Sequence, residues 1–133
     1  MKDVIASVKG AVDSELPREQ RAAAAAHLIR LARGYRWAGI YDVGDDDVTL
    51  IGEAGSPSAE RVRPSLEEWV FSQVLQSRRV MVGKEDAVAP VLGAESGIVI
   101  GTLDVEIAPM DAFGVQDVDF LEDCAAALRP LYD

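Results

Sequence analysis

Two short stretches carry the residues best suited to chemistry. Trp37, Gly39 and Tyr41 alternate along one aromatic and β-branched run, and Thr102, Asp104 and Glu106 alternate along another. Successive side chains of a strand point to opposite faces. Each trio therefore shares one face of its strand, while Leu103 and Val105 point the other way. Were the two strands neighbours, Trp37 and Tyr41 would stand beside Asp104 and Glu106, with Gly39 leaving space between the rings. A hollow with aromatic walls and an anionic base prefers a cation. An ammonium group satisfies carboxylates through charge-assisted hydrogen bonds, and ring faces attract it as well. Acids left there without a counter-charge would raise each other's pKa or destabilise the fold. Such a hollow suits a small molecule bearing an amine, such as an amino acid or its derivative. The competing reading is packing alone, with solvated acids on an open sheet face and both rings as core under a helix.

Other reactive side chains offer less. His27 sits in an alanine-rich helical run, with no second His or Cys at metal-ligand spacing. It reads as a helix-surface or packing residue. Cys124 follows Glu122 and Asp123, which disfavour a thiolate, so it reads as an inert packing residue. Asp45 to Asp47 lack the spacing, glycine and distal glutamate of a calcium loop and read as a solvated turn. Ser72 and Ser96 have no evident histidine partner. Gly93 to Gly97 lacks a phosphate-loop pattern and reads as a hairpin turn. No metal or cofactor is implied.

The elements that must position the two trios follow from periodicity and punctuation. Val4, Ile5, Val8 and Val12 recur at helical spacing and predict a helix over residues 2 to 13. Pro17 suits the start of a second helix. That helix runs through the alanines at 22 to 26, with Leu28, Leu31 and Ala32 extending an apolar stripe, and Gly34 ends it. Arg36 to Gly44 and Val48 to Ala54 read as a hairpin. Ser65-Leu66-Glu67-Glu68 has capping-box form and predicts a third helix through Gln76, with Trp69, Val70, Val74 and Leu75 on or near its buried side. Short strands at Arg79 to Val82 and Ala87 to Leu92, a longer one from Ile98 to Ile107, and a final amphipathic helix complete the order. Helices at the ends and hairpin-paired strands make an α+β fold with an antiparallel sheet.

Composition narrows the function classes. The 133 residues suit one domain: N-terminal helices over residues 1–35, then the sheet and C-terminal helix over 36–133. A formal charge of -10 repels phosphate backbones and anionic lipid, and argues against nucleic acid or a membrane as partner. One cysteine, no leader-like N-terminus and no long apolar run suit a cytoplasmic protein. With no kinase, cyclase or DNA-binding segment in the sequence, any output is expected through another polypeptide, a signalling partner.

From Arg36 onward the chain resembles a GAF domain, and within that superfamily its motifs are similar to those of the free methionine-(R)-sulfoxide reductases. Trp37-Ala38-Gly39-Ile40-Tyr41 matches that family's Trp-x-Gly-φ-Tyr, where φ is apolar. Gly101-Thr102-Leu103-Asp104-Val105-Glu106 is similar to Gly-φ-Leu-Asp-φ-acid, with Thr102 at an apolar place. Asp86 stands four before Pro90, as an acid does in the family's preceding strand. The resemblance implies a GAF-like sheet with terminal helices on one face and a helix and loop region over the other, and makes the two motif strands neighbours. The implied ligand-binding residues are Trp37, Tyr41, Asp86, Asp104 and Glu106. It also implies dimerisation through the terminal helices. Val118, Leu121, Ala125 and Leu128 form a seam-like edge there, Val4, Val8 and Val12 a comparable one, and Ile5, Phe120 and Ala127 are candidates for a second seam.

The departures decide the functional reading. The enzymes use cysteines between the third helix and the strand at Asp86. Gln73 to Glu85 contains none here, Cys124 matches no catalytic position, and Arg63-Pro64-Ser65 replaces a glycine-rich approach to that helix. The expectation is a non-catalytic sensory or regulatory domain binding a small ligand. The alternatives are a free methionine sulfoxide reductase and a structural dimerisation module with no ligand.

Overall fold

The computed structural model describes residues 2–58 and 69–133, without the side chains at 2 and 69–71. Two helices, α1 (Lys2–Val12) and α2 (Arg18–Arg33), lead into the hairpin of β1 (Trp37–Val43) and β2 (Val48–Gly55). Helix α3 (Trp69–Ser77) follows, then β3 (Met81–Val82), β4 (Asp86–Leu92), β5 (Val99–Glu106) and α4 (Val115–Ala127). The expected capping box at Ser65 to Glu68, the burial of Trp69 and Val70, and the Arg63-Pro64-Ser65 approach lie outside the described residues and side chains. The strands form one antiparallel sheet in the order β2-β1-β5-β4-β3. The fold is α+β, and a strand from each half of the chain lies at its centre.

Two cores follow from strand alternation. Ala38 and Ile40 on β1, Leu103 and Val105 on β5, and Ala87, Ala89 and Val91 on β4 pack under α1, α2 and α4. Trp37, Tyr41, Val48 and Val88 point the other way and pack with Val74 of α3. Terminal helices on one face and α3 on the other match the sequence-based expectation, including Leu103 and Val105 beneath the helices.

The alanines of α2 have a purpose that its weak amphipathicity hides. Ala22, Ala25 and Ala26 are fully buried, and α2 lies so close to β2 that a Cβ on Gly52 would meet the backbone at Ala22 and Ala23. Small side chains on both elements allow that approach. Gly34 ends the helix at φ 69°, a left-handed conformation that suits glycine. Leu31 departs from expectation. It is 58% exposed, because Ala22, Ala25, Ala26 and Ile29 already form the packed stripe.

Most of the seam residues pack within the chain, while Val4, Ile5 and Val118 are half-buried. Val8, Val12, Leu121, Ala125 and Leu128 are buried within this chain, as are Phe120 and Ala127. Helices α1 and α4 must cover the sheet and each other, so these side chains fill the intramolecular core. A 3₁₀ turn at Arg129–Tyr132, unforeseen in the sequence, closes the chain over the sheet. The Tyr132 ring lies on Gly101, where any Cβ would overlap it, and its hydroxyl donates to the Tyr41 carbonyl at 2.6 Å. Arg18 donates to the Leu131 carbonyl at 2.7 Å, pairs with both oxygens of Asp42 and stands 5.3 Å from the Tyr132 ring centre.

A second polar clasp joins α2 to α4. Buried Asp117 accepts from Tyr35 Oη at 2.6 Å, Arg33 Nε at 3.1 Å and the Gly114 amide at 2.7 Å. The last bond is half of a capping box, the half that glycine permits. Burial disfavours the Asp117 carboxylate, but the bonds from Arg33, Tyr35 and Gly114 outweigh it and hold its pKa below the usual range. Burial and the Asp117 hydrogen bond push the Tyr35 phenol up. The stabilisation from ionised Asp117 is full above the unfolded pKa of about 3.9 and disappears as pH falls through the lower folded value. Asp117→Asn should cost about 1–3 kcal/mol at neutral pH. Urea unfolding across a pH series should show the gap from the native chain narrowing on acidification, and a gap independent of pH would contradict this account.

Candidate functional site

Register decides which side chains meet. Between β1 and β5, Trp37 lies opposite Glu106, Gly39 opposite Asp104 and Tyr41 opposite Thr102. Between β4 and β5, Asp86 lies opposite Glu106, Val88 opposite Asp104 and Pro90 opposite Thr102. The α3 face thus carries three short rows: Trp37, Glu106 and Asp86; Gly39, Asp104 and Val88; Tyr41, Thr102 and Pro90. Opposed residues on one face have Cβ atoms about 4.5–5.5 Å apart. The structure therefore brings all five sequence-derived residues, Trp37, Tyr41, Asp86, Asp104 and Glu106, onto one side of three adjacent strands.

Burial removes the reading of Asp104 and Glu106 as solvated surface groups. Asp104 is 1% exposed and Glu106 6%. Asp86 is half-buried at the end of β4. Glu106 accepts a 2.8 Å hydrogen bond from the Ser58 amide, which ties the end of β5 to the segment following β2. Thr102 is fully buried, and among the described residues its hydroxyl has no hydrogen-bond partner. A buried hydroxyl of that kind is uncommon, and a ligand or water would satisfy it.

The rings depart from the expected arrangement. Gly39 does not leave an open gap, because a Cβ there would overlap the six-membered ring of Trp37. The glycine makes room for the indole itself, which folds along its own strand across the centre of the acidic face. Trp37 and Tyr41 meet edge to face, with centroids 6.4 Å apart, and both belong to the core with Val74 and Val88. They are packing residues on the same face as the acids.

Glu53 is the residue that sequence reasoning missed. Its Oε1 accepts a 2.9 Å hydrogen bond from Trp37 Nε1. Strict alternation from Val48 would send Glu53 to the helix side. A bulge shifts the β1–β2 register between Ile40 and Tyr41, so that Tyr41 pairs with Leu50 and Ile40 with Gly52. Ile51 is the extra residue, and Glu53 comes opposite Gly39 on the acidic face. The available signal was Gly52, a glycine within a strand pattern.

Cys124 lies elsewhere. It is fully buried in the helix-side core, and burial, then nearby Asp123, push its thiol up to about 12. His27 is exposed on α2, and Asp45 to Asp47 are exposed in the β1–β2 turn. Among the described residues no group of three His, Cys, Asp or Glu side chains is arranged to hold a metal ion, and no helix is long and apolar enough to cross a membrane.

The Trp37–Glu53 bond holds the indole in place over Gly39. Trp37→Phe and Glu53→Ala should each lower stability, and their effects should be non-additive by roughly 0.5–1.5 kcal/mol. A double-mutant cycle by urea unfolding measures this. Strict additivity would show that the bond does not position the ring.

No protein-family model matches the chain, and no curated protein sequence matches it. Solved structures do. The free methionine-R-sulfoxide reductase of Neisseria meningitidis, in complex with its substrate, superposes with a TM-score of 0.79 at 20% identity, over 98% of this chain and 87% of that one. A putative GAF sensor protein from Burkholderia vietnamiensis gives 0.78 at 23% identity, over 96% and 84%. The GAF domain of an Acinetobacter phosphoenolpyruvate-protein phosphotransferase gives 0.76 at 18% identity, over 98% and 90%. Sensors and enzymes are thus about equally similar, and at these identities what they share with the chain is architecture. The chain has the GAF fold.

Proposed function

We propose that this chain is a non-catalytic sensory or regulatory domain of GAF type, which binds a small amine-bearing molecule on the α3 face of its sheet. The observation that carries the reading is the β1–β5–β4 register, which gathers Asp86, Asp104 and Glu106 beside Trp37 and Tyr41. Carboxylates of low exposure next to ring faces favour an ammonium group over an anion or a neutral molecule. Thr102 supplies a buried hydroxyl to the same face. In this reading the ligand changes the seating of α3, and a partner polypeptide in the cytoplasm senses the change.

The position of Cys124 favours binding over thiol catalysis. A sulfoxide reductase of the resembled kind needs a thiolate at its substrate. The chain's one cysteine lies in the opposite core, with its thiol held protonated. The reductase-like substrate-bound neighbour keeps the enzyme as the second reading. Titration calorimetry against amines and amino acids should find a saturable ligand whose affinity falls at least tenfold in Asp104→Asn, while a thiol-dependent reductase assay should show no turnover. Absence of any binder at millimolar concentration with the fold intact, or turnover by this chain, would overturn the reading.

We propose further that the working unit is a homodimer through the terminal helices. A groove of about 660 Å³ lies between α1 and α4, lined by Ile5, Ala6 and Lys9 on one side and Gln116, Asp119 and Asp123 on the other. Its basic and acidic edges are self-complementary, so a second copy related by a two-fold axis would pair Lys9 with the acidic edge of α4. Sedimentation equilibrium should show a dimer, weakened at least tenfold by Lys9→Glu. A monomer throughout the micromolar range would contradict this.

A further inference from the structure

We propose that a second cleft, at the β4 edge of the sheet, binds a small doubly charged oxyanion, a phosphate or a dicarboxylate. Strand β3 covers only Ala87 and Val88 of β4, so the stretch from Ala89 to Leu92 has no strand beside it on that side among the described residues. Pro90 fits there because an edge position needs no ladder donor. A cavity of about 270 Å³ opens along this edge, between the segment after α3 and the end of α4.

Its charge is opposite to that of the protein. Three of the chain's 13 basic residues, Arg78, Arg79 and Arg129, line it against one acid, Glu122. That leaves a local excess of two positive charges on a chain whose formal charge is -10. The ion pairs among the described residues are Arg18 with Asp42 and Arg33 with Asp117, and none of the three cleft arginines takes part in them. Clustered guanidinium groups repel one another, and a shared anion relieves this while taking bidentate hydrogen bonds.

The arginines are placed by backbone and not by chance of side-chain length. Arg129 Nε donates to the Leu92 carbonyl at 3.0 Å, which fixes the root of its guanidinium at the cleft. Arg78 caps α3 in the left-handed region at φ 59°, its amide bonded to the Val74 carbonyl at 2.8 Å. That conformation is uncommon for a residue with a side chain, and it turns the chain so that Arg78 and the adjacent Arg79 both reach the cleft. Val80 and Ala126 give apolar walls. A volume of this size admits a single small anion with a short carbon skeleton, and the described residues offer no aromatic wall for a stacked nucleoside.

The test is an amide-resolved NMR titration of the full chain with inorganic phosphate and, separately, with succinate, at ionic strength held constant with sodium chloride. Saturable shifts are expected at residues 78–80, at Leu92 and at 126–129, with affinity reduced about tenfold or more in Arg79→Gln. Arg79 is exposed and makes no side-chain bond among the described residues, so this variant keeps the fold even if Arg129→Gln loosens the Leu92 contact. Saturation by phosphate alone, by succinate alone or by both identifies the anion and supports the site. Saturation by neither, shifts scattered over the surface, or unchanged affinity in Arg79→Gln would overturn it.

Discussion

The pairing of β1 with β5, with Gly39 opposite Asp104, is the constraint on which the rest depends. It brings residues from opposite ends of the chain to the middle of one sheet. A slip of one residue would turn Asp104 and Glu106 into the helix-side core and expel Leu103 and Val105. The hydrophobic pattern therefore enforces the register that assembles the acidic face. Folding and assembly of the acidic face are a single requirement here. The carboxylates are held by strands buried on both sides, so their mutual distances are set by the backbone and not by flexible loops.

Close approach of backbone and ring recurs as the means of holding this arrangement. Gly52 admits α2, Gly39 admits the Trp37 indole, and Gly101 admits the Tyr132 ring. Each glycine lies in the sheet, where its missing side chain weakens the strand taken alone, and each is offset by a packed neighbour that occupies the space. Polar clasps then fix the helices at the two ends. Asp117 gathers Arg33, Tyr35 and the Gly114 amide between α2 and α4, and Arg18 gathers Asp42 and the Leu131 carbonyl beside Tyr132. The Asp117 clasp is buried and costs stability when one partner is lost, whereas the Arg18 and Asp42 side chains are 34% and 40% exposed and serve mainly to fix position.

Much of the architecture was legible because it depends on local patterns. The hairpins, the αL stop at Gly34, the helix periodicity of Val8 and Val12, and the facing of Leu103 and Val105 follow from periods of two and 3.6 and from turn chemistry. The neighbour relation of β1 and β5 came from motif resemblance, since no local rule pairs strands so distant in sequence. What escaped was set by tertiary geometry. The bulge at Ile51 re-aimed Glu53, and alternation alone would misplace that residue. The Trp37 ring entered the space that Gly39 was expected to leave empty. The seam on α4 was real as a pattern, yet a sequence cannot tell whether an apolar edge meets its own sheet or a second copy. The arginine cleft joins residues 78–79 with 129, and only the fold brings them together.

The account's central claim is that the α3 face is a cation-binding surface assembled by strand register. A crystal structure of the protein grown with the tightest-binding amine tests it most directly. The account predicts ligand density bounded by Trp37, Tyr41, Asp104 and Glu106, with its nitrogen within hydrogen-bonding distance of a carboxylate oxygen. Side chains packed tightly across that face, with the amine bound elsewhere, would contradict it.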